Sequence, residues 1–99
     1  MATFISTFKF TGQGLKNVGE TTKRAAAVKT LAKKMGVKVT DIYWTLGAFD
    51  GLLIFEAPDD KTATALLLNI GSHGNIQTST ARAFTAGEMD KILAKVSGR

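Results

Sequence analysis

The sequence predicts an α+β fold in which four antiparallel strands form one sheet, two long helices cover one face, and a shorter helix ends the chain. Three observations carry this reading. Apolar residues alternate in four short stretches and recur at helical spacing in three others, and glycine, proline and capping residues punctuate the joins. The length of 99 residues, 44% of them hydrophobic, suits a single domain spanning residues 1–99.

Residues 2–10 read as the first strand, with Phe4, Ser6, Phe8 and Phe10 on one face and Thr3, Ile5, Thr7 and Lys9 on the other. Gly12 and Gly14 break the pattern, so residues 11–19 read as a loop. A helix follows, starting at Thr21 or Thr22, whose hydroxyl is expected to cap it. Its buried stripe is Ala25, Val28, Leu31, Ala32 and Met35, and Gly36 supplies a left-handed stop. Residues 37–46 read as the second strand, with Asp41 near its start; Ile42, Trp44 and Leu46 share one face, Tyr43 and Thr45 the other. Residues 47–51 read as a hairpin connection and residues 52–57 as a third strand, apolar on both faces. Pro58 ends pairing, and an aspartate of Asp59-Asp60 caps the next helix, whose core side is Ala63, Leu66, Leu67 and Ile70. Residues 76–84 form a threonine-rich fourth strand. Thr85 or Ala86 opens a last helix carrying Met89, Ile92, Leu93 and Val96.

The order strand, helix, strand, strand, helix, strand is the split βαβ, or ferredoxin-like, arrangement. Right-handed crossovers place both long helices on one sheet face. The other face stays bare, yet the third strand is apolar in both directions. A patch of that size approaches the limit that soluble monomers tolerate. The expected remedy is a homodimer with sheets face to face; the alternative is that the C-terminal helix folds over the face within one chain.

Charge is uneven. Residues 1–40 carry eight bases against Glu20 alone, a balance of +7, and residues 41–99 carry seven acids and five bases, a balance of −2. Lysine dominates the basic cluster and no aromatic residue is interleaved with it, so it reads as the solvated face of a helix and not as a nucleic-acid surface. The absence of cysteine removes disulfides, thiolate metal sites and thiol nucleophiles, and points to a reducing compartment, the cytoplasm. No apolar run is long enough to span a membrane, and the N-terminus has no signal-peptide pattern.

Candidate chemistry is sparse. Asp50 sits where a strand meets the hairpin, either as a base at a pocket mouth or as a turn residue. His73, the lone histidine, follows a helix and lacks a second ligand or a neighbouring acid, so no metal site is expected. Tyr43 and Trp44 project to opposite faces, one into the helix-side core and one into a cavity between paired sheets. With Thr45, Phe49 and Arg82 they form the candidate ligand pocket, to which Ser6 or Thr7 and Thr78 or Thr80 can add polar groups. Arg82, alone on its strand, can hold a carboxylate ligand or pair with Glu56 or Asp50. No nucleophile elbow, phosphate loop or dinucleotide fingerprint is present.

The run Thr40-Asp41-Ile42-Tyr43-Trp44-Thr45-Leu46-Gly47-Ala48-Phe49-Asp50, followed by Leu53-Ile54-Phe55-Glu56-Ala57-Pro58-Asp59-Asp60, resembles the GYD-domain family. Phe4-Ile5-Ser6, Arg24-Ala25, Met35-Gly36-Val37, Gly71-Ser72, Gly74-Asn75 and Thr78 extend the likeness over nearly the whole chain. The name-giving glycine, aromatic and aspartate stand as Gly47, Phe49 and Asp50, with phenylalanine where the name has tyrosine, so a role for that hydroxyl does not carry over. The resemblance implies a dimeric α/β-barrel relative of ferredoxin-like topology and supplies no reaction. The expected function is a small homo-oligomeric binding or interaction protein without a cofactor, with a modest apolar pocket for an apolar or carboxylate ligand. The alternative is a cofactor-independent or haem-using enzyme of monooxygenase type that employs His73, Trp44 or Asp50.

Overall fold

The computed structural model describes residues 1–98. Its elements are β1 (Ala2–Phe10), α1 (Gly12–Lys16), a 3-10 turn (Val18–Glu20), α2 (Thr21–Lys34), β2 (Lys38–Trp44), β3 (Gly51–Ala57), α3 (Asp60–Ser72), β4 (Ile76–Ala83) and α4 (Ala86–Val96). The four strands form one antiparallel sheet in the order β2-β3-β1-β4, the ferredoxin-like topology that the sequence predicts.

Register settles the faces. Phe4 lies opposite Phe55 and Arg82, Ser6 opposite Leu53 and Thr80, and Phe8 opposite Gly51 and Thr78. This face meets α2 and α3 in a core of Phe4, Val37, Leu53, Phe55 and Ala57 from the sheet side with Ala32, Ala63, Leu66 and Ile70 from the helices. Phe4 and Phe55 stack with ring centroids 5.3 Å apart. Ser6 is buried here and its hydroxyl is satisfied by Thr80, which donates to it at 2.9 Å.

Local chemistry explains where the helices start and stop. Gly36 at φ +76° closes α2, with the Val37 amide reaching back to the Ala32 carbonyl (2.8 Å) and the Gly36 amide to Lys33 (3.2 Å). These two bonds satisfy carbonyls that a helix end leaves open. Asp59 caps α3 by accepting the Thr62 amide at 2.7 Å. Thr85 and Glu88 form a reciprocal capping box on α4.

Four expectations are corrected. Residues 11–19 hold a short helix instead of a loop, because Thr11 caps α1 and its buried Gly14 lies against the backbone of Asn75. A Cβ on Gly14 would come within 1.9 Å of the Asn75 carbonyl oxygen, an approach only glycine allows. Neither Thr21 nor Thr22 caps α2: Glu20 stands at the cap with no side-chain bond, and the Thr21 hydroxyl instead accepts the Trp44 indole N–H. Asp41 lies in the middle of β2, beside a bulge between Val39 and Asp41 that frees the Thr40 hydroxyl to bond Ile54. Leu46 lies beyond the end of β2, fully exposed.

The C-terminal helix does not shield the bare face. None of its residues is buried, and Ile5 and Tyr43 on the bare face remain 37% and 55% exposed. The radius of gyration is 15.2 Å and the longest axis 53 Å, against about 13 Å for a close-packed chain of this length. The helix stands off the body.

Two predictions follow from these contacts. A Cβ on Gly51 would sit 2.1 Å from the Phe8 ring and 2.5 Å from the Tyr43 carbonyl oxygen, so Gly51→Ala should lower stability by about 1–3 kcal/mol in urea unfolding. Gly12→Ala, with open space around it, should stay within about 0.5 kcal/mol of wild type. The second concerns acid. The Thr62 amide holds the Asp59 carboxyl below its ordinary value of 3.8, and the Thr85 amide holds Glu88 below 4.5. A lowered folded pKa means that the cap contributes fully above the ordinary value and is lost as pH falls through the folded one. The melting temperature of wild type should therefore drop more steeply between neutral pH and acid than that of Asp59→Asn.

Candidate functional site

A cleft of about 490 Å³ lies above the sheet, lined by residues of both α2 and α3. Most of the length of α2 forms one wall, through Ala25, Val28 and Leu31, and the C-terminal end of α3 forms the other through Ile70. Phe8, Phe10 and Leu53 contribute from the central strands, Ile42 and Trp44 from β2, and Ile76 from β4. The cleft exists because α2 brings alanines to this end, and they are too short to fill the space above an aromatic floor.

Polar groups line the cleft at few points. Trp44 donates its indole N–H to Thr21 Oγ1 at 3.0 Å, tying the end of β2 to the first turn of α2. His73 Nδ1 lies 2.9 Å from the Asn69 carbonyl oxygen; a carbonyl only accepts, so Nδ1 carries the proton of this bond. Asn75 Oδ1 accepts from Gln13 at 3.0 Å. Arg24 is half-buried and, among the described residues, has no ion-pair or hydrogen-bond partner. No aspartate or glutamate lines the cleft. No group of three metal-binding side chains exists among the described residues.

The structure does not bring together the five residues expected to form a pocket. Of Tyr43, Trp44, Thr45, Phe49 and Arg82, only Trp44 lines the cleft. Tyr43 points to the bare face and donates to Asp41 Oδ1 at 3.3 Å. Thr45 and Phe49 belong to the β2–β3 connection, where the Thr45 hydroxyl donates to the Phe49 carbonyl at 2.6 Å. Arg82 lies on β4, at the opposite edge of the sheet from β2. Its carboxylate partner is Glu88 at 3.5 Å, not Glu56 or Asp50, and its guanidinium lies 4.6 Å from the Phe84 ring centroid and 5.7 Å from that of Phe4.

Asp50 has a backbone task. Its carboxylate accepts the Phe10 amide at 2.8 Å, its own amide donates to the Phe8 carbonyl at 2.8 Å, and its carbonyl accepts from Thr45 at 2.9 Å. No hydrogen bond joins it to His73 among the described residues. Sequence reasoning missed Arg24 by counting it with the solvated bases. The signal was present, because residue 24 lies three after Thr21 and four before Val28, on the stripe that faces the sheet.

Comparison with known proteins places the chain in a family. The family model described as GYD domain matches residues 4–93. The glutamine synthetase and cystathionine beta-lyase binding protein of Thermus thermophilus is 29% identical over 90 residues, covering 90% of this chain and 95% of that protein. Among solved structures, an ACT domain protein from Streptococcus pneumoniae superposes with a TM-score of 0.49 at 17% identity, over 84% of this chain and 90% of its own. With a match that takes in every strand and both walls of the cleft, the chain belongs to the GYD domain family.

Proposed function

We propose that this GYD domain is a homo-oligomeric binding module that holds protein partners on its sheet and terminal helix and a small ligand in its cleft. One observation carries the reading: the chain's own fold leaves two apolar surfaces uncovered. On the bare sheet face Ile5 lies directly opposite Ile54, flanked by Leu52 and Tyr43. On α4, Met89, Leu93 and Val96 recur at helical spacing and are 43%, 50% and 77% exposed. Covering several hundred Å² of such surface is worth several kcal/mol per subunit before the cost of association.

Two sheets facing each other bury the first surface and give a dimeric α/β-barrel. A helix that stands clear of its own body can then reach a neighbouring subunit or another protein. The name of the Thermus thermophilus relative suggests the kind of partner, metabolic enzymes such as glutamine synthetase or cystathionine beta-lyase. A protein that meets those enzymes works in the cytoplasm.

Self-association is tested by sedimentation. Wild type should run as a dimer or larger at micromolar concentration, and Ile5→Glu should shift it toward the monomer with an unchanged far-ultraviolet circular dichroism spectrum. A well-folded wild-type monomer of 10.5 kDa would overturn that half of the reading. Partner binding is tested with purified glutamine synthetase and cystathionine beta-lyase from the same host on immobilised wild-type protein. Retention of either supports the module; retention of neither removes these enzymes as partners.

A further inference from the structure

We infer that the cleft between α2 and α3 takes an amphiphilic carboxylate, an apolar alkyl or aryl body with a single anionic head, and that Arg24 receives the head. The inference rests on reading the cleft as a ligand site and names the class of ligand. At about 490 Å³ the cavity lies within the range of small-molecule pockets. Its floor and walls are mostly apolar, so most of the occupant must be apolar too.

The charge of the head follows from what the lining holds in reserve. Arg82, the other arginine among the described residues, has Glu88 and two aromatic rings around it. Arg24 lines the cleft with no carboxylate beside it, and no acid lines the cavity at all. Two of the lining's acceptors are already engaged, Thr21 Oγ1 by Trp44 and Asn75 Oδ1 by Gln13, and the neutral acceptors left, the Asn69 amide oxygen and His73 Nε2, carry no negative charge to pair with a cation. Donors remain, namely the Arg24 guanidinium and the amide nitrogens of Asn69 and Asn75, and only the first is charged. Lys23, Lys29, Lys33 and Lys34 on the same helix add a positive field that draws anions and repels cations. A planar guanidinium suits a carboxylate in particular, since two parallel N–H bonds match its two oxygens. A polyphosphate would need many more donors than this lining offers.

The probes are decanoate and 1-decanol, which share an alkyl body and differ in charge. Trp44, the only tryptophan, lines the cleft and reports occupancy by fluorescence; the methyl resonances of Ile42, Ile70 and Ile76 locate it. Decanoate should give a saturable change at Trp44 and shift these methyls while leaving Ile5 and Ile54 on the bare face in place. Decanol should bind about ten-fold or more weakly, because it forgoes hydrogen bonds to a charged group. Arg24→Gln should abolish the preference for decanoate, and Arg24→Lys, which keeps the charge and loses the fork, should retain part of it.

Equal affinity for the two probes in wild type, or a preference that survives Arg24→Gln, would overturn the assignment of an anionic head while leaving the cleft a ligand site. Shifts confined to Ile5 and Ile54, or no shift with either probe, would overturn the ligand site itself. Sedimentation of the same samples reads the protein-binding module independently, so the failure of one is not mistaken for failure of the other.

Discussion

Everything in this fold depends on how α2 and α3 settle on a sheet whose helix-facing side is aromatic along its length, from Phe4 and Phe55 to Phe8 and Phe10. At the closed end Ala32 and Ala57 are fully buried and Ala63 nearly so, letting both helices come down onto Phe55, with Leu66 sealed between. At the open end the sheet presents Phe8, Phe10 and Trp44, and Phe8 and Phe10 meet edge-on with centroids 5.9 Å apart. Where α2 brings small side chains over those rings, as at Ala25 and Ala27, space is left above them. The cleft is therefore a product of side-chain size, built into the same two helices that make the core.

The same economy leaves the far face unprotected. Two helices cover one side of a four-stranded sheet, and a chain of this size has little left to cover the other. Its last element, α4, begins with a well-made cap and is tethered by the Arg82–Glu88 pair, yet none of its residues is buried. A short amphipathic helix draws most of its stability from packing, so α4 and the bare face share one need, an apolar surface from outside the chain. The sheet edges are treated differently. A bulge distorts β2 and a row of threonine and serine occupies β4, features that discourage open-ended strand addition.

Much of this was legible in the sequence because it is written in local chemistry. Alternation gave each strand its faces, Gly36 and the Asp59-Asp60 pair marked helix ends by backbone freedom and capping, and Thr85 or Ala86 marked the start of α4, where Thr85 is the cap. The failures share a cause in contacts between distant residues. The helix at Gly12–Lys16 depends on Gly14 meeting Asn75, and the Thr21 hydroxyl was drawn away from capping by Trp44, 23 residues on. Within one chain the residues expected to line a pocket stay apart for the same reason. Alternation correctly sent Tyr43 and Trp44 to opposite faces, but only the packing of whole helices decides which face holds a cavity, and Arg24 could not be separated from its lysine neighbours until that packing was known.

The hairpin that resembles the family's name-giving motif links these levels. Asp50 could have been read as a catalytic base, but its carboxylate and amide fasten the hairpin to Phe10 and Phe8 of β1. Those are two of the rings that floor the cleft, and Trp44, two residues after Ile42, stands at the start of the same connection. Gly51 follows at once, and its lack of a side chain is what lets the Phe8 ring lie against the β2–β3 pair. An aspartate whose carboxylate and backbone amide both bind β1 holds the hairpin against the strand that carries Phe8 and Phe10. The motif acts on the cleft by positioning its floor, which is why an aspartate there is compatible with the binding role proposed above.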